Sequence, residues 1–258
     1  MAREGSSDSS DPARYWSPSK IETWMKCKRM FYWRYVMGLK KPPGGAALRG
    51  ITVHAAAEHN YRQKIETHKD LPLEEVQQAA SDAWAAKLPE IEMMEDDDPK
   101  QLRSQVDAAV PAYHAKVAPK VQPVEVEAKF LATMGGHEIQ GYPDVVTADL
   151  IRDTKTSTKT KNPAELGWVQ PTIYEHVKGK PFLFDQIVCL SKEVRHVETK
   201  PEPPGDKETT IRVLTDEIGI AKHMIRQGLF PHATPGSWFC SKKWCGYYQF
   251  CFGSRRDA

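Results

Sequence analysis

Residues 124–155 read VEVEAKFLATMGGHEIQGYPDVVTADLIRDTK, a stretch that contains three candidate β-strands. Apolar and charged residues alternate through the first run, which is the pattern of a strand with one buried face. This alternation predicts that Glu125 and Glu127 lie on the same side of the strand. Gly135-Gly136 predicts a hairpin turn, after which a second strand is expected to continue to Val146.

The third run, residues 150–152, leads directly into Asp153 and Lys155, which are two residues apart and therefore share a face. Asp144 lies at the end of the second run, so several carboxylates are expected to converge. Clustered carboxylates repel one another and raise each other's pKa values. The alternative is an ordinary solvated strand face on which these acids pair with the lysine. A divalent cation removes the repulsion, because Mg²⁺ prefers carboxylate oxygens and keeps several waters. A lysine beside it would orient or deprotonate water and neutralise developing charge.

Gly141-x-x-Asp144 followed by Asp153-x-Lys155, with a Glu on the preceding strand, resembles the core of the PD-(D/E)XK nuclease superfamily. The similarity is to its RecB-like branch, which includes AddB nuclease domains and CRISPR-associated and phage exonucleases. D-x-K is a weak match when it stands alone, so the flanking motifs carry the comparison. The resemblance implies an α/β fold with a restriction-endonuclease-like core, in which a central mixed β-sheet is flanked by helices.

Two further motifs are similar to this branch. Gly50-x-x-x-His54 is expected on a helix, and the resemblance implies that His54 points at the metal site. Gln170 and Tyr174 are four residues apart and share one face of a helix predicted to begin at about Val169. The resemblance implies that these two side chains reach the lysine, the attacking water or the scissile phosphate. Without it, they would be ordinary surface residues.

The resemblance assigns a role to each residue of the predicted site. Asp144 and Asp153 would hold Mg²⁺ or Mn²⁺, and His54 would complete the site or serve a second metal. Glu127 is preferred over Glu125 as the third carboxylate. Lys155 would position the nucleophilic water.

Length and composition set the outer limits. The chain has 258 residues, with 36 basic and 34 acidic residues and a net charge of +2, so any basic groove must be local. It contains no apolar run of eighteen residues and no signal-peptide pattern, which predicts a soluble protein with no membrane association. The expected location is the cytoplasm of a bacterial, archaeal or phage-infected cell. Nothing in the sequence indicates an oligomeric state.

The predicted domain organisation is simple. Residues 1–16 are rich in Ser, Asp and Gly and are expected to be disordered until Tyr15 or Trp16 docks. Residues 17–258 are expected to form one nuclease domain, with an α-helical insertion at 71–119 and a cysteine lobe at 236–258.

Several local elements are also predicted. A helix that begins at Ser17 or Ser19 is expected to contain Cys27. Strands are predicted at 182–190, 194–199 and 209–214, and a helix from Thr215 is expected to end near Gly228.

Three cysteines, Cys240, Cys245 and Cys251, lie in twelve residues among aromatic and basic neighbours. Metal and cluster sites usually need four thiolates, and Cys27 would supply the fourth. The resemblance implies a [4Fe–4S] cluster that joins these four residues, although the C-x4-C-x5-C spacing differs from the C-x2-C-x5-C of many relatives. Zn²⁺ remains the alternative, since thiolates bind both metals. Cys189 lies within an apolar run and is expected in the core.

The function that the resemblance implies is metal-dependent DNA cleavage. The favoured form is exonucleolytic cleavage of single-stranded ends. Recombination, repair, phage DNA metabolism and CRISPR adaptation are the expected settings, with recombination, helicase or CRISPR-adaptation proteins as partners. The chain has no G-x-x-x-x-G-K-[ST] phosphate loop, so unwinding would need a partner. Two other classes stay open: a non-catalytic DNA-binding scaffold with the nuclease fold, and a zinc-stabilised nucleic-acid-binding protein.

Overall fold

A computed structural model describes residues 11–191 and 193–253 of the chain. The chain forms two compact units. The central unit comprises residues 42–130 and 142–204, and the terminal unit comprises the described parts of residues 1–41, 131–141 and 205–258. Most of the N-terminal segment predicted to be disordered, residues 1–10, lies outside the described residues, whereas Tyr15 and Trp16 form a strand in which Trp16 is buried.

The elements are mixed helix and strand, as expected. The helices are α1 Pro18–Lys26, α2 Lys28–Phe31, α3 Gly45–Thr67, α4 Leu73–Lys87, α5 Pro99–Lys116, α6 Pro163–Leu166, α7 Val169–Lys178, α8 Lys207–Arg226 and α9 Tyr248–Phe252. The strands are β1 Tyr15–Trp16, β2 Glu125–Val126, β3 Phe130–Met134, β4 His137–Gly141, β5 Val145–Val146, β6 Ile151–Ser157, β7 Phe182–Cys189 and β8 Val194–Thr199. Within the described ranges, no helix combines the length and the apolar character needed to cross a membrane.

The central unit contains a five-stranded mixed sheet in the order β2-β5-β6-β7-β8. β6 and β7 run parallel, and the other neighbours are antiparallel. All residues of β7 are buried, and apart from Asp185 and Gln186 they are apolar, as in strands covered on both faces. Helices α3, α5 and α7 pack against the sheet. The predicted mixed sheet flanked by helices is therefore confirmed.

Helices α4 and α5 lie within residues 71–119, where helices were predicted, and pack on α3. Their buried apolar faces, which include Trp84 and Tyr113, join residues of the sheet in one core cluster. The acidic turn between them serves this packing: Asp97 accepts hydrogen bonds from the backbone N–H groups of Gly45 and Met94, and Asp98 caps α5. The turn is thus a helix-capping loop.

The terminal unit contains a three-stranded sheet in the order β1-β4-β3. The predicted hairpin at Gly135-Gly136 is confirmed, with φ angles of 55° and 78° that favour glycine. The second strand does not continue to Val146, as the sequence had suggested. It ends at Gly141, and β5 joins the other sheet, because Pro143 between them has no N–H to donate to a ladder.

Helix α8 replaces a predicted strand. Residues 209–214 were expected in a strand, but α8 begins at Lys207 and includes them. Asp206 caps the helix, because its side chain accepts a hydrogen bond from Thr209 N at 2.8 Å. Thr210, Leu214 and Ile218 are buried at spacings of four residues, which bury one stripe of a helix.

A buried ion-pair network lies beside the centre of the five-stranded sheet. Arg152 on β6 donates two hydrogen bonds to Asp185 on β7, at 2.8 and 2.7 Å, and one to Glu198 at 2.7 Å. His196 Nε2 lies 2.7 Å from Asp185 Oδ1, the oxygen that also accepts a hydrogen bond from Arg152 Nη2. Burial opposes the charge of Asp185, but His196 and Arg152 outweigh it and hold the pKa of Asp185 below its ordinary value. The network therefore links β6, β7 and β8.

We expect Asp185→Ala to lower the free energy of unfolding by about 3 kcal/mol, because it leaves the Arg152 guanidinium buried with only Glu198 as a partner. Urea denaturation with an unchanged m-value would measure the loss. Asp107→Ala is the control, since it removes one partner of an exposed ion pair with Arg103. Its expected effect is within roughly 0.5 kcal/mol. Equal midpoints for the two variants would contradict the prediction.

Candidate metal centre

Strand β6 supplies two residues of the predicted site. Asp153 and Lys155 are two apart on this strand and share one face of the sheet. Asp153 is buried, and the Lys155 ammonium forms an ion pair with Asp153 Oδ2 at 2.6 Å. Strand alternation directs Arg152 to the opposite face. The two faces of β6 thus hold separate charged groups.

The Asp144 carboxylate connects three segments of the central unit. Asp144 lies in the loop between β4 and β5, and its Oδ2 accepts a hydrogen bond from Thr154 N on β6 at 2.8 Å. The same oxygen lies 3.1 Å from His54 Nδ1 on α3. Gly50 lies one turn before His54, and a Cβ there would make only an ordinary contact, 3.5 Å from Thr156 Oγ1. The site therefore uses His54, whereas a glycine at position 50 is not required for packing.

Glu127 reaches the centre through a backbone conformation that alternation does not predict. β2 ends at Val126, and Glu127 has a φ angle of 47°, in the left-handed region. This conformation costs a non-glycine residue about 1 kcal/mol, and Glu127 N donates a hydrogen bond to Asp144 O at 3.1 Å. The expectation that Glu125 and Glu127 face the same way is wrong. Glu125 pairs with Lys178 instead, while Glu127 faces His54 and Asp144.

The donor set fits a divalent cation. His54, Glu127 and Asp144 each offer a ligand atom, and these atoms all lie within 4.8 Å of one another. Two carboxylates and an imidazole suit Mg²⁺ or Mn²⁺, with the imidazole favouring the latter. Asp153 borders this group, and its charge acts on both Glu127 and His54. Like charges converge here, and a cation would relieve their repulsion.

The two aspartates divide the charge unequally. Burial opposes ionisation of Asp144, but His54, Lys155 and the Thr154 N–H outweigh it and hold the pKa of Asp144 below its ordinary value. Burial raises the pKa of Asp153, and the Asp144 carboxylate raises it further. Asp144 is therefore the fixed negative charge of the centre, and Asp153 holds a proton more readily.

Glu127 and His54 have pKa values near the physiological range. Burial, followed by the charges of Asp144 and Glu58, raises the pKa of Glu127 to about 7. Burial disfavours the imidazolium, but Asp144 outweighs burial and raises the pKa of His54 to about 9. Both groups must lose a proton before they bind a metal, so protons compete with the cation at neutral pH.

Gln170 lies where the sequence predicted, near the start of α7. Its Nε2 donates a hydrogen bond to Asp153 Oδ1 at 2.9 Å, and its Oε1 accepts one from Lys155 Nζ at 3.5 Å. The helix begins at Val169, as expected. Gln170 therefore contacts both members of the D-x-K pair and fixes their orientation.

Tyr174 shares the helical face of Gln170, but its hydroxyl group binds the backbone. It accepts a hydrogen bond from Tyr142 N at 3.2 Å and lies 3.1 Å from Tyr142 O, to which it donates. Burial raises the pKa of Tyr174 to about 12, so the phenol stays neutral. Tyr174 thus holds the loop that carries Asp144. Its predicted catalytic role stays a prediction.

Cys27 lies at a junction between helices, and not within one helix as expected. Its φ of −162° and ψ of 115° are extended and end α1. Cys27 then caps α2, because its Sγ accepts a hydrogen bond from Met30 N at 3.4 Å. The break places the thiol at a helix end, where its sulfur faces a backbone N–H.

The C-terminal cysteines lie near Cys27 in the terminal unit. Burial raises the pKa of Cys240, and the charges of Cys27 and Cys251 add to the effect. The pKa of Cys245 is raised by burial and then by the other three thiols, against a hydrogen bond from Tyr247 N. Trp33 Nε1 donates to Cys251 Sγ at 3.4 Å. Cys189, by contrast, is buried in the core cluster of the central unit, as predicted.

Two groups near the centre were missed from the sequence. Glu58 lies one turn after His54 on α3, and its charge contributes to the raised pKa of Glu127. The i, i+4 spacing was the available signal. Asp185, His196 and Glu198 also offer ligand atoms within 4.8 Å of one another. Arg152 already forms ion pairs with both acids of that second group, so each acid has a positively charged partner without a metal.

Comparison with known proteins agrees with this geometry. The family model of the PD-(D/E)XK nuclease superfamily matches residues 15–252. The chain belongs to this superfamily. A search of the curated proteins finds no match.

One solved structure shares the fold of this chain. A proposed exonuclease from Eubacterium rectale is 13% identical, with a TM-score of 0.59 and coverage of 93% of both chains, which shows a common fold. The crystal structure of SSO0001 is 15% identical and covers 91% of this chain and 95% of its own, with a TM-score of 0.35. That second score is too low to support a structural argument.

Metal binding at the PD-(D/E)XK centre should weaken as the pH falls. Between pH 8 and pH 6, Glu127 passes through its pKa of about 7 and becomes protonated, and His54 becomes more fully charged. We expect the affinity for Mn²⁺, measured by calorimetric titration, to fall at least about tenfold. Glu127→Gln removes one of the two titrating groups. This variant should bind Mn²⁺ more weakly at pH 8, and its affinity should depend less on pH. An affinity independent of pH would contradict the prediction.

Proposed function

We propose that this PD-(D/E)XK nuclease is a Mg²⁺- or Mn²⁺-dependent deoxyribonuclease that degrades DNA from single-stranded ends. The observation that supports the proposal most strongly is the convergence of His54, Glu127 and Asp144 beside Asp153 and Lys155. Carboxylate and imidazole ligands, a buried acid and a lysine in contact with it are groups that metal-dependent phosphodiester hydrolysis uses. This combination of charges counts against a scaffold without catalysis.

Each residue of the metal centre has a distinct part in the proposed reaction. A bound divalent cation supplies Lewis-acid polarisation of the scissile phosphate and activation of water. Asp144, Glu127 and His54 would hold that cation, and Asp153 would join them when it is ionised. Lys155 would orient the nucleophilic water and stabilise the charge that develops on the phosphate.

Two residues act by positioning. Gln170 holds Asp153 and Lys155 in a fixed relative orientation through its two hydrogen bonds. Tyr174 fixes the backbone at Tyr142, two residues before Asp144. We therefore expect Gln170→Ala to reduce the turnover rate, whereas Tyr174→Phe should weaken metal binding through the loop.

The matched pair Glu127→Gln and Glu125→Gln tests the proposal. Both changes remove one carboxylate from the same short stretch of chain, but only Glu127 faces the centre. With end-labelled single-stranded DNA and Mn²⁺, we expect Glu127→Gln to reduce cleavage at least about a hundredfold and Glu125→Gln to reduce it less than about threefold.

Asp153→Asn and Lys155→Ala should abolish cleavage in the same assay, and EDTA should abolish it in the parent. Product ladders would report the polarity. A parent protein that binds DNA but does not cleave it with either metal would favour the scaffold class. Asp153→Asn that cleaves as fast as the parent would refute the site.

We also propose that a [4Fe–4S] cluster is held by the four cysteines of the terminal unit. The four thiols lie near one another, since the charges of Cys27, Cys240 and Cys251 all act on Cys245. The N–H donors of Met30 and Trp33 suit cluster sulfurs, which commonly accept such bonds.

Replacing a ligand should remove the cluster. We expect each alanine variant of the four residues Cys27, Cys240, Cys245 and Cys251 to lose the brown colour and to unfold at lower temperature, because ligation joins distant segments. Cys189→Ala is the matched control and should keep the colour. Absorption spectra and iron analysis of anaerobically purified protein measure the effect. Colourless parent protein with stoichiometric zinc would contradict the cluster.

A further inference from the structure

The terminal unit has a charge that the composition of the whole chain hides. The chain has a net charge of only +2. Residues 23–41, however, contain six Lys or Arg and no Asp or Glu, and residues 218–253 contain four and none. Both segments belong to the terminal unit. The two segments that carry the four cysteines are therefore strongly basic and free of acids.

Exposed aromatic rings lie within these basic segments. Trp238 is 70% exposed and Trp244 is 59% exposed, and within the described residues no other tryptophan is exposed. The two rings contact each other nearly at right angles, with centroids 5.9 Å apart. Exposure of large aromatic rings to water is unfavourable, so a pair of them on one surface indicates an interaction site.

Ammonium groups flank both rings. Lys26 Nζ, from the end of α1, lies 5.5 Å from the Trp238 ring and 5.1 Å from the Phe239 ring. Lys243 Nζ lies 5.6 Å from the Trp244 ring. These five residues, Lys26, Trp238, Phe239, Lys243 and Trp244, form what we call the aromatic platform. Each exposed ring thus has a cation at its side.

We propose that the aromatic platform binds single-stranded nucleic acid, with unpaired bases stacked on Trp238 and Trp244 and phosphates paired with Lys26 and Lys243. The proposal rests on the proposed nuclease function and extends it by naming a second surface that selects the strand. Base–aromatic stacking tolerates any sequence, because every base has a flat face. The ten Lys and Arg of the two segments attract a polyanion, and the acids nearest to them in the chain, Glu22 and Glu217, lie just outside the segments.

The platform favours single strands over duplexes on physical grounds. In a duplex the faces of internal bases are already stacked on their neighbours, so a protein ring reaches them only after unstacking. Basic side chains alone would bind both forms through phosphates. The aromatic pair is therefore the part of the surface that distinguishes them.

The test compares two double variants of the full-length protein. Trp238→Leu with Trp244→Leu keeps apolar bulk but removes the ring faces, and Trp238→Phe with Trp244→Phe keeps a ring at each position. Binding of fluorescein-labelled dT₂₀ and of a hairpin duplex with the same number of phosphates is measured by anisotropy in EDTA, where no cleavage occurs. Visible absorption and circular dichroism confirm that the cysteine lobe is intact in each variant.

We expect the leucine variant to bind dT₂₀ at least about tenfold more weakly than the parent, and the phenylalanine variant to bind within about threefold of it. Binding of the hairpin should change little in either variant. In the parent, dT₂₀ should also quench the fluorescence of the exposed tryptophans. With Mn²⁺, the leucine variant should raise KM for single-stranded DNA and leave kcat unchanged, because the platform is outside the metal centre.

Several results would overturn the inference. A leucine variant that binds dT₂₀ like the parent, while the parent cleaves DNA, would refute the platform and leave the nuclease function standing. A parent that neither binds nor cleaves DNA would refute both. Sedimentation of the parent with phosphatidylglycerol vesicles, lost in the leucine variant and not displaced by dT₂₀, would assign the platform to a membrane surface instead.

Discussion

The carboxylate of Asp144 is the contact on which the metal centre depends. One of its oxygens accepts the Thr154 N–H of β6 and faces the His54 ring of α3. The loop that bears Asp144 is held from its other end by the hydroxyl group of Tyr174, which binds the backbone of Tyr142. The loop, the helix and the strand therefore share one fixed negative charge, and the positions of the other ligands follow from it.

That fixed charge also makes the centre unfavourable without a cation. Because Asp144 stays ionised, Asp153 and Glu127 are pushed toward their protonated forms. A carboxyl group whose pKa is raised by folding stabilises the folded state when it is protonated, and this contribution is lost as the pH rises from about 4 through its folded pKa, about 7 for Glu127. At neutral pH the carboxylates of the centre therefore repel one another, and a divalent cation would relieve this repulsion. Such shifted pKa values are typical of functional sites.

Residue order allowed much of the centre to be predicted. Strand periodicity placed Asp153 and Lys155 on one face, and helical spacing placed Gln170 beside them, because both patterns repeat over distances shorter than one element. The same reasoning failed for the two glutamates of the first predicted strand, Glu125 and Glu127. Alternation assigned Glu125 and Glu127 to one face, but a left-handed residue at Glu127 ends β2 and reverses that assignment. No sequence pattern signalled this turn, since glutamate rarely adopts it.

The amino-acid sequence determined the family, the mixed α/β class, the D-x-K pair and the set of cysteines, since each depends on residue types at short spacings. Tertiary structure decided which glutamate enters the centre, that α1 ends at Cys27, and that Arg152 neutralises a buried aspartate beside it. It also placed Lys26 next to Trp238, more than two hundred residues along the chain. These features depend on contacts between segments far apart in sequence, and local periodicity contains no information about which distant segments will meet.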